Sequence, residues 1–161
     1  MRRTGCFAFV GLAFAVACAP ADRGVYRDPE RPIGASTRFD ANMFSGDWVI
    51  VERFGEETGG LIEVAPVDQG IEVRSAAVQA ISGRYAQGAP GELLPLATQA
   101  ETLVVMWVDA DFETAAIGTP SGSFGAVIDR DGVIPADRAQ AARDILEFYG
   151  WDTAALQRTT S

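Results

Sequence analysis

Carboxylates are the side chains of this sequence that could bind a metal ion or transfer a proton. The 22 acidic residues include close pairs such as Glu56–Glu57, Asp109/Asp111 and Asp129/Asp131. Oxygen ligands of this type suit Ca²⁺, and paired carboxylates suit general acid catalysis. The stretch from Asp129 to Gly132 lacks the further ligands of an EF-hand loop, however. We therefore predict solvated turn acids at these positions and no metal site.

The remaining reactive groups are too few for the common catalytic mechanisms. All 13 cations are Arg, and the sequence contains neither Lys nor His. Without His there is no imidazole to act as a base or to bind zinc, and without Lys there is no Schiff base. The net charge of −9 also leaves no basic surface for a nucleic acid. We predict that the chain is not an enzyme, holds no cofactor and binds no nucleic acid.

Cys18 carries chemistry of a different kind, because it follows a sequence typical of protein export. A short cationic start precedes an apolar run from Cys6 to Ala17. As a helix, that run would rise only about 18 Å, which is short of a hydrocarbon core of about 30 Å. Residues 1–17 are therefore predicted to be a cleaved signal peptide rather than a membrane span.

The sequence Ala15-Val16-Ala17-Cys18 resembles a bacterial lipobox, in which the chain is cut before a Cys that carries lipid. It also fits the small-x-small site of ordinary signal peptidase, which would leave a soluble secreted protein. Either cut leaves Cys18 as a solitary thiol, and a free thiol is unusual in an oxidising compartment. We predict that Cys18 is lipidated.

The residue after Cys18 is Ala and not Asp, which by resemblance to lipoprotein sorting favours the outer membrane over the inner one. The predicted location is the bacterial cell envelope, with the protein anchored by lipid in the outer membrane and facing the periplasm. Residues 18–37 are rich in Pro, Gly and charge and have no apolar period. They are predicted to form the lipidated N-terminus and a flexible tether.

The rest of the sequence alternates short apolar runs with turn signals. The runs are rich in Val, Ile, Thr and aromatic residues, which favours β-strands. They cover 48–54, 61–65, 70–78, 80–86, 92–97, 102–108, 112–118 and 123–130. Strands of this length with close turns indicate an antiparallel barrel or sandwich. After Pro135 the period becomes that of an amphipathic helix, which ends at Gly150 and must lay its apolar stripe on the outside of the sheet.

Four motifs follow one another along the sequence. Gly46-x-Trp48 opens the first predicted strand, Asp109 and Asp111 form an acidic turn, Arg130 ends the eighth strand, and Gly-Trp-Asp-Thr follows the helix. Residues 38–57 and 102–157 thereby resemble the bacterial outer-membrane lipocalin lipoproteins and apolipoprotein D. The resemblance implies an all-β domain over 38–161. It would be an eight-stranded antiparallel up-and-down lipocalin-like barrel with one C-terminal α-helix packed outside.

The same resemblance implies what the motif residues do. In lipocalins the Arg of the third motif lies across the Trp of the first, so Arg130 is expected to make a cation–π contact with Trp48 at the closed end of the barrel. Gly46 lets the chain turn tightly into the strand. Gly46, Trp48, Asp109, Asp111 and Arg130 are thus predicted to be structural residues.

An eight-stranded lipocalin barrel has room for one small ligand. The predicted function is therefore the binding or carriage of a small hydrophobic ligand, of the fatty acid or lysophospholipid class. The candidate ligand contacts are Tyr85, Leu94, Val104, Met106, Phe112 and Phe124. A shift of one residue in register would exchange inside and outside positions. The segment between Trp48 and Asp109 is also short for the family, which leaves the size of the pocket open.

A second class of function fits the same sequence. It is a small periplasmic β-barrel lipoprotein that acts through protein–protein contacts, as protease or lysozyme inhibitors do. An open apolar lumen would favour ligand binding, whereas a lumen filled with side chains beneath an exposed apolar rim would favour the interaction module. The sequence does not predict the oligomeric state.

Overall fold

A computed structural model describes residues 24–55 and 58–160 of the protein. The predicted signal peptide and Cys18 lie outside the described residues. The strands of the described part are β1 (Gly46–Phe54), β2 (Leu61–Val67), β3 (Gly70–Arg74), β4 (Gly83–Gln87), β5 (Glu92–Pro95), β6 (Leu103–Val108), β7 (Thr114–Gly118), β8 (Gly125–Asp129) and β9 (Leu156–Arg158). The helices are α1 (Ala41–Phe44) and α2 (Ala136–Phe148), with 3₁₀ turns at Gln79–Ile81 and Thr153–Ala155.

The strands β1 to β8 form a closed antiparallel barrel. Each strand from β2 to β7 pairs with the next along the chain, and β1 completes the ring by pairing with both β8 and β2. The connections are short, so each strand folds back directly beside its predecessor. The predicted eight-stranded up-and-down barrel is confirmed.

The strand β9 extends the sheet beside β1. An irregularity in the pairing with β8, between Ile50 and Glu52, divides β1 into two halves. The first half pairs with β2, and the second half, Glu52–Phe54, pairs with β9. The C-terminal strand therefore occupies the place from which β2 has diverged.

Several predicted strands are shorter than expected, and the difference has a clear cause between β3 and β4. The strand predicted over 70–78 ends at Arg74, and the strand predicted over 80–86 begins at Gly83. Between them the chain leaves the sheet, because two serine hydroxyl groups take over main-chain hydrogen bonds there. Some apolar residues of this stretch remain buried, which is why its sequence resembles that of a strand.

The helix α2 packs on the outside of the barrel, as predicted. Asp137 lies in its first turn, where a negative charge offsets the helix dipole. Its buried side chains are Ala139, Ala142 and Leu146. This stripe faces β6, β7 and β8, and the Arg143 guanidinium donates to the buried carboxylate of Glu52 on β1. Among the described residues, no helix is long and apolar enough to cross a membrane.

Trp151 covers the outer face of the barrel just beyond α2. Its six-membered ring lies against Gly118 and Gly125, so close that a Cβ atom on either glycine would come within 2.4 Å of the ring. The indole also stacks on Phe54, with 4.8 Å between the ring centroids. The two glycines are therefore required for this close approach.

The first described residues lie along the barrel rather than projecting from it. The buried guanidinium of Arg27 donates hydrogen bonds to the carbonyl oxygens of Tyr149, at 3.0 Å, and Pro120, at 2.8 Å. Farther along the chain, the N–H of Ser36 donates to a main-chain carbonyl of β6 at 2.8 Å. The flexible tether predicted over 18–37 is therefore wrong for its described part, because these contacts hold that part on the barrel surface.

Candidate functional site

The barrel interior is built from apolar side chains of all the strands from β1 to β8. Alternate residues of each strand point inward, since successive side chains of a strand face opposite sides of the sheet. A register shift after Val105 makes Val108 the next inward residue of β6. The inward apolar residues are Trp48, Ile50, Ile62, Val64, Ile71, Val73, Tyr85, Leu93, Leu103, Val105, Val108, Ala115, Ile117, Ala126 and Ile128. We refer to this set as the lumen cluster.

The lumen is filled by its own side chains. Trp48, Tyr85 and Leu93 are 0% exposed, and Ile62 and Ile71 are 1% exposed. A space large enough for a ligand would leave such walls accessible to a water-sized sphere, so these described side chains enclose no ligand-sized space. The short strands explain the packing, because β3 and β4 have 5 residues each and β5 has 4.

One segment outside the sheet closes the mouth of the barrel. This mouth segment, Ser75–Ser82, connects β3 to β4 and contains the first 3₁₀ turn. Val78 and Ile81 project into the lumen cluster and are 4% and 0% exposed. The side chains between and before them, such as Ala77 and Gln79, are exposed. The segment is thus inserted into the lumen through two aliphatic side chains.

Serine hydroxyl groups give the mouth segment its shape. Ser75 Oγ donates to the carbonyl of Leu61 at 2.8 Å and accepts from the N–H of Val78 at 3.2 Å. Ser82 Oγ accepts from the N–H of Ser75 at 3.0 Å and donates to the Ser75 carbonyl at 3.1 Å. The segment is therefore a compact cap, closed on itself by its own hydroxyl groups.

Tyr85 links the barrel interior to the mouth segment through a hydrogen bond. Its hydroxyl group donates to the carbonyl of Ile81 at 2.7 Å. Burial raises the pKa of Tyr85 to about 12, and the negative charge of Glu101 adds to the rise. The hydroxyl group therefore stays protonated and remains a donor to Ile81 near neutral pH.

A further group of residues lines the mouth beside β7 and β8. The Glu101 carboxylate accepts hydrogen bonds from the hydroxyl groups of Ser121, at 2.5 Å, and Ser123, at 2.7 Å. Phe124 reaches into the lumen cluster and is 3% exposed. The Arg53 guanidinium lies over the Phe124 ring, with 5.7 Å between its Cζ atom and the ring centroid. The mouth thus combines apolar, acidic and cationic groups.

Half of the predicted ligand contacts lie in the interior. Tyr85, Phe112 and Phe124 belong to the buried cluster inside the barrel. Their role as ligand contacts stays a prediction.

The other half of the predicted contacts face outward, and their placement in the lumen is wrong. Val104 and Met106 pack in the outer cluster beneath α2, and Leu94 is 42% exposed. Their neighbours Leu93 and Val105 point inward instead. The error is a shift of one residue in each strand, which exchanges the two faces of the sheet.

The closed end of the barrel holds the predicted cation–π contact. The Cζ atom of Arg130 lies 3.7 Å from the centroid of the Trp48 ring. The same guanidinium donates to the carbonyl oxygens of Asp47, at 3.0 Å, and Met43, at 2.8 Å. Arg130 therefore ties β8 to the start of β1 and to α1, and the predicted contact is confirmed. A Cβ atom at Gly46 would meet this guanidinium at 3.0 Å.

The acidic residues of the second motif organise a turn. Asp109 Oδ1 accepts from the N–H groups of Glu113, at 2.8 Å, and Thr114, at 2.9 Å. Arg138 of α2 lies 3.4 Å from the Asp109 carboxylate and 3.8 Å from that of Asp111. These carboxylates are thus occupied by main-chain donors and an arginine.

Asp129 organises the turn after β8. Its Oδ1 atom accepts from the N–H groups of Asp131 and Gly132, both at 3.0 Å, and its Oδ2 atom accepts from the Thr114 hydroxyl group at 2.7 Å. Within residues 24–55 and 58–160, no group of three or more Asp, Glu or Cys is arranged to hold a metal ion. Glu56 and Glu57 lie outside these ranges.

Sequence reasoning missed the mouth itself. Val78 and Ile81 were assigned to two strands, and Glu101 was assigned no role. A usable signal was present, because Ser75 and Ser82 flank the apolar residues and serine hydroxyl groups favour local turns over strand pairing. Arg53 gave no such signal, since only the structure places it over an aromatic ring of the lumen.

Comparisons with known proteins address the fold. No family model matches the chain, and no curated protein matches it. Lobster apocrustacyanin A1 is similar in structure, with a TM-score of 0.60 and 13% identity over 89% of this chain and 93% of that chain. Apocrustacyanin C2 gives a TM-score of 0.58 at 13% identity, over 86% and 89% of the two chains. Apocrustacyanin C1 gives 0.56 at 14% identity, over 81% and 90%.

The crustacyanins are lipocalins, so the fold of this chain is the lipocalin barrel with one helix packed outside. At 13–14% identity the likeness establishes the fold alone. One fold hosts many functions, so the function of this chain depends on the residues of its site.

Proposed function

We propose that the protein binds a small apolar ligand in the part of the lumen next to the mouth, which opens when the mouth segment moves away. The observation that carries the proposal is the position of Val78 and Ile81. These side chains fill the mouth but belong to no strand. Space for a ligand can therefore form without separating the strands of the barrel. The proposal includes no catalytic step.

The energetics of opening set the kind of ligand. Moving Val78 and Ile81 into water costs roughly 3–6 kcal/mol, while burying a ligand gains about 0.8 kcal/mol for each CH₂ group. About four to eight buried methylene groups would then only offset the opening. We therefore expect no binding of very short chains and a rise in affinity beyond that length, which favours fatty acids or lysophospholipids.

The proposal places the ligand site near a bacterial membrane through lipid on Cys18. The apolar run that ends at Ala17 supports this anchor, as does the motif resemblance to bacterial outer-membrane lipocalin lipoproteins and apolipoprotein D. The N–H of Tyr26 donates to the carbonyl of Gly122 at 3.1 Å, beside the mouth. An extended chain from Cys18 to Gly24 spans at most about 22 Å. An anchor at Cys18 would therefore keep the mouth close to the lipids of the outer membrane, on the periplasmic side.

The filled lumen favours a second candidate function, that of a protein-interaction module. Leu61 and Leu96 lie where β2 begins and β5 has ended, and each is 60% exposed. An inhibitor-like lipoprotein could use such an apolar rim against a partner protein. The two candidates differ in whether the lumen ever opens.

Titration with fatty acids of rising length decides between the two functions. We expect calorimetry to detect saturable binding that begins at intermediate length and then levels off as the lumen is filled. Ile81→Ala should bind more tightly than the wild type, because it removes a side chain that the ligand must displace. Leu146→Ala is the matched control, since it truncates a residue that is 0% exposed on the outer face of the barrel.

The outcomes separate the two candidates clearly. Native mass spectrometry with lipid extraction should find a lipid on the purified protein. If neither the wild type nor Ile81→Ala binds any acyl chain, the ligand proposal fails and the interaction module takes its place. An equal effect of Ile81→Ala and Leu146→Ala would also count against the mouth, because both changes would then act only through stability.

A further inference from the structure

Arg53 places a positive charge at the edge of the lumen. It lies at the end of β1 beside the mouth and is half-buried. Its Cζ atom is 5.7 Å from the centroid of Phe124, whose ring belongs to the cluster inside the barrel. One side of the guanidinium therefore faces apolar surface that continues into the lumen.

No described carboxylate neutralises this guanidinium. Arg74 and Arg84 lie beside glutamates on the outer face, and Arg143 pairs with Glu52. In the described ranges the Arg53 guanidinium forms no such ion pair, and it lies over the Phe124 ring. A half-buried charge loses water contacts, so a partner of opposite charge would be favourable there.

We propose that Arg53 binds the anionic headgroup of the ligand, a carboxylate or a phosphate, while the apolar chain passes Phe124 into the lumen. This inference rests on the proposed function. The planar guanidinium matches both headgroups, since its N–H groups can donate to two oxygen atoms at once. Contact with the Phe124 ring orients the plane of these N–H groups.

The rest of the mouth directs the headgroup to Arg53. The Glu101 carboxylate stands on the same rim and is already bonded to the hydroxyl groups of Ser121 and Ser123. An anionic headgroup is repelled from Glu101 and attracted to Arg53. The ligand class is therefore an anionic amphiphile, in preference to a neutral alcohol or ester of equal length.

Three probes with the same chain test this assignment: dodecanoate and dodecyl phosphate, each below its micelle concentration, and 1-dodecanol below its solubility limit. We expect calorimetry to show that the wild type binds the two anions roughly ten- to a hundredfold more tightly than the alcohol. Arg53→Gln should remove that advantage and leave the affinity for dodecanol unchanged. Whichever of the two anions binds with the higher affinity indicates whether a fatty acid carboxylate or a phosphate headgroup fits better.

Two variants control for charge and geometry. Arg84→Gln removes a charge from the exposed outer face, where Arg84 lies 3.7 Å from Glu72, and it should change no affinity. Arg53→Lys keeps the positive charge but lacks the planar pair of N–H donors, so it should keep only part of the wild-type preference for anions. Where Arg53→Gln fails to fold, the wild type still gives the answer, because added salt should weaken dodecanoate binding and not dodecanol binding.

The outcomes distinguish this inference from the proposed function. Equal wild-type affinity for dodecanoate and dodecanol, unaffected by Arg53→Gln, overturns the role of Arg53 and leaves ligand binding intact. A preference for anions that survives in Arg53→Gln also overturns it. Failure of the wild type and Ile81→Ala to bind any of the three probes overturns the proposed function and this inference together.

Discussion

The hydroxyl group of Tyr85 donates a hydrogen bond of 2.7 Å to the main-chain carbonyl of Ile81. Both residues are 0% exposed. Tyr85 belongs to β4 in the barrel wall and Ile81 to the mouth segment, so this bond links the wall directly to the mouth segment. Opening of the mouth must break it, and changes at Tyr85 should therefore affect both stability and opening.

The raised pKa of Tyr85 predicts a loss of stability in alkaline solution. That pKa is about 12 in the folded protein and about 10 in an unfolded chain. Below about pH 10 both states hold the proton, and the contribution is complete. Between these values the unfolded chain releases the proton while the folded protein keeps it, so the free energy of unfolding falls by roughly 2–3 kcal/mol.

Urea titrations near pH 9 and near pH 11.5 measure this fall. Tyr85→Phe should be less stable than the wild type near pH 9, because Phe cannot donate to Ile81, and it should lose the alkaline fall, because Phe has no proton to release. Tyr149→Phe, at a half-buried position on the outer surface, is the control and should keep the full fall. An unchanged fall in Tyr85→Phe would assign the alkaline transition to another group.

Arg130→Gln should destabilise the closed end of the barrel. The change removes the cation–π contact with Trp48 and three hydrogen bonds to main-chain carbonyls, those of Met43, Asp47 and Phe112. We expect a loss of roughly 1–3 kcal/mol in the free energy of unfolding. Arg84→Gln should cost less than about 1 kcal/mol, since an exposed ion pair contributes little. Equal losses in the two variants would contradict a structural role for Arg130.

Gly125→Ala should displace Trp151 from the outer face of the barrel. The new Cβ atom would lie 2.4 Å from the indole ring, and relief of this overlap should cost roughly 1–3 kcal/mol of stability. Thermal unfolding and near-ultraviolet circular dichroism of the indole measure the change. Gly83→Ala is the matched control, because its Cβ atom would meet Ala100 at an ordinary 3.6 Å. Similar behaviour of both variants would argue against a packing requirement at Gly125.

Cys18→Ala should abolish lipid attachment. In cells that export the protein, palmitate should label the wild type and not the variant, because Cys18 is the residue proposed to carry the lipid. The label should follow the membrane fraction. Label that persists in Cys18→Ala, or a wild-type protein that is released in soluble form, would contradict the anchor.

Local signals explain why much of the fold could be predicted from the sequence. Gly46-x-Trp48 and Arg130 occupy fixed positions at the closed end, where the backbone turn and the large ring leave few alternatives. The helix after Pro135 also has a clear period and defined ends. The helix depends on residues that are close in the sequence, so its period is readable without the rest of the structure. The contact between Trp48 and Arg130 joins distant residues and was expected only from the resemblance to lipocalins.

The candidate site could not be predicted in the same way. Leu93 and Leu94 have the same side chain, and only the pairing of β5 with its neighbours sets which one faces inward. The position of Val78 and Ile81 depends on the hydroxyl groups of Ser75 and Ser82, which bond to the main chain of this segment and of Leu61 and draw the segment out of the sheet. Whether the lumen is open or filled depends on the sum of all its side chains, which no single motif reports.

The strand β9 bears on whether this barrel can associate with other copies of itself through a sheet edge. It covers the second half of β1, where β2 no longer pairs. Without β9, the main-chain N–H and C=O groups of Glu52–Phe54 would form a free edge that another chain could extend. The three-residue strand thus covers an edge that could otherwise pair with another chain, and it does so beside Arg53, whose main chain pairs with Gln157 of β9.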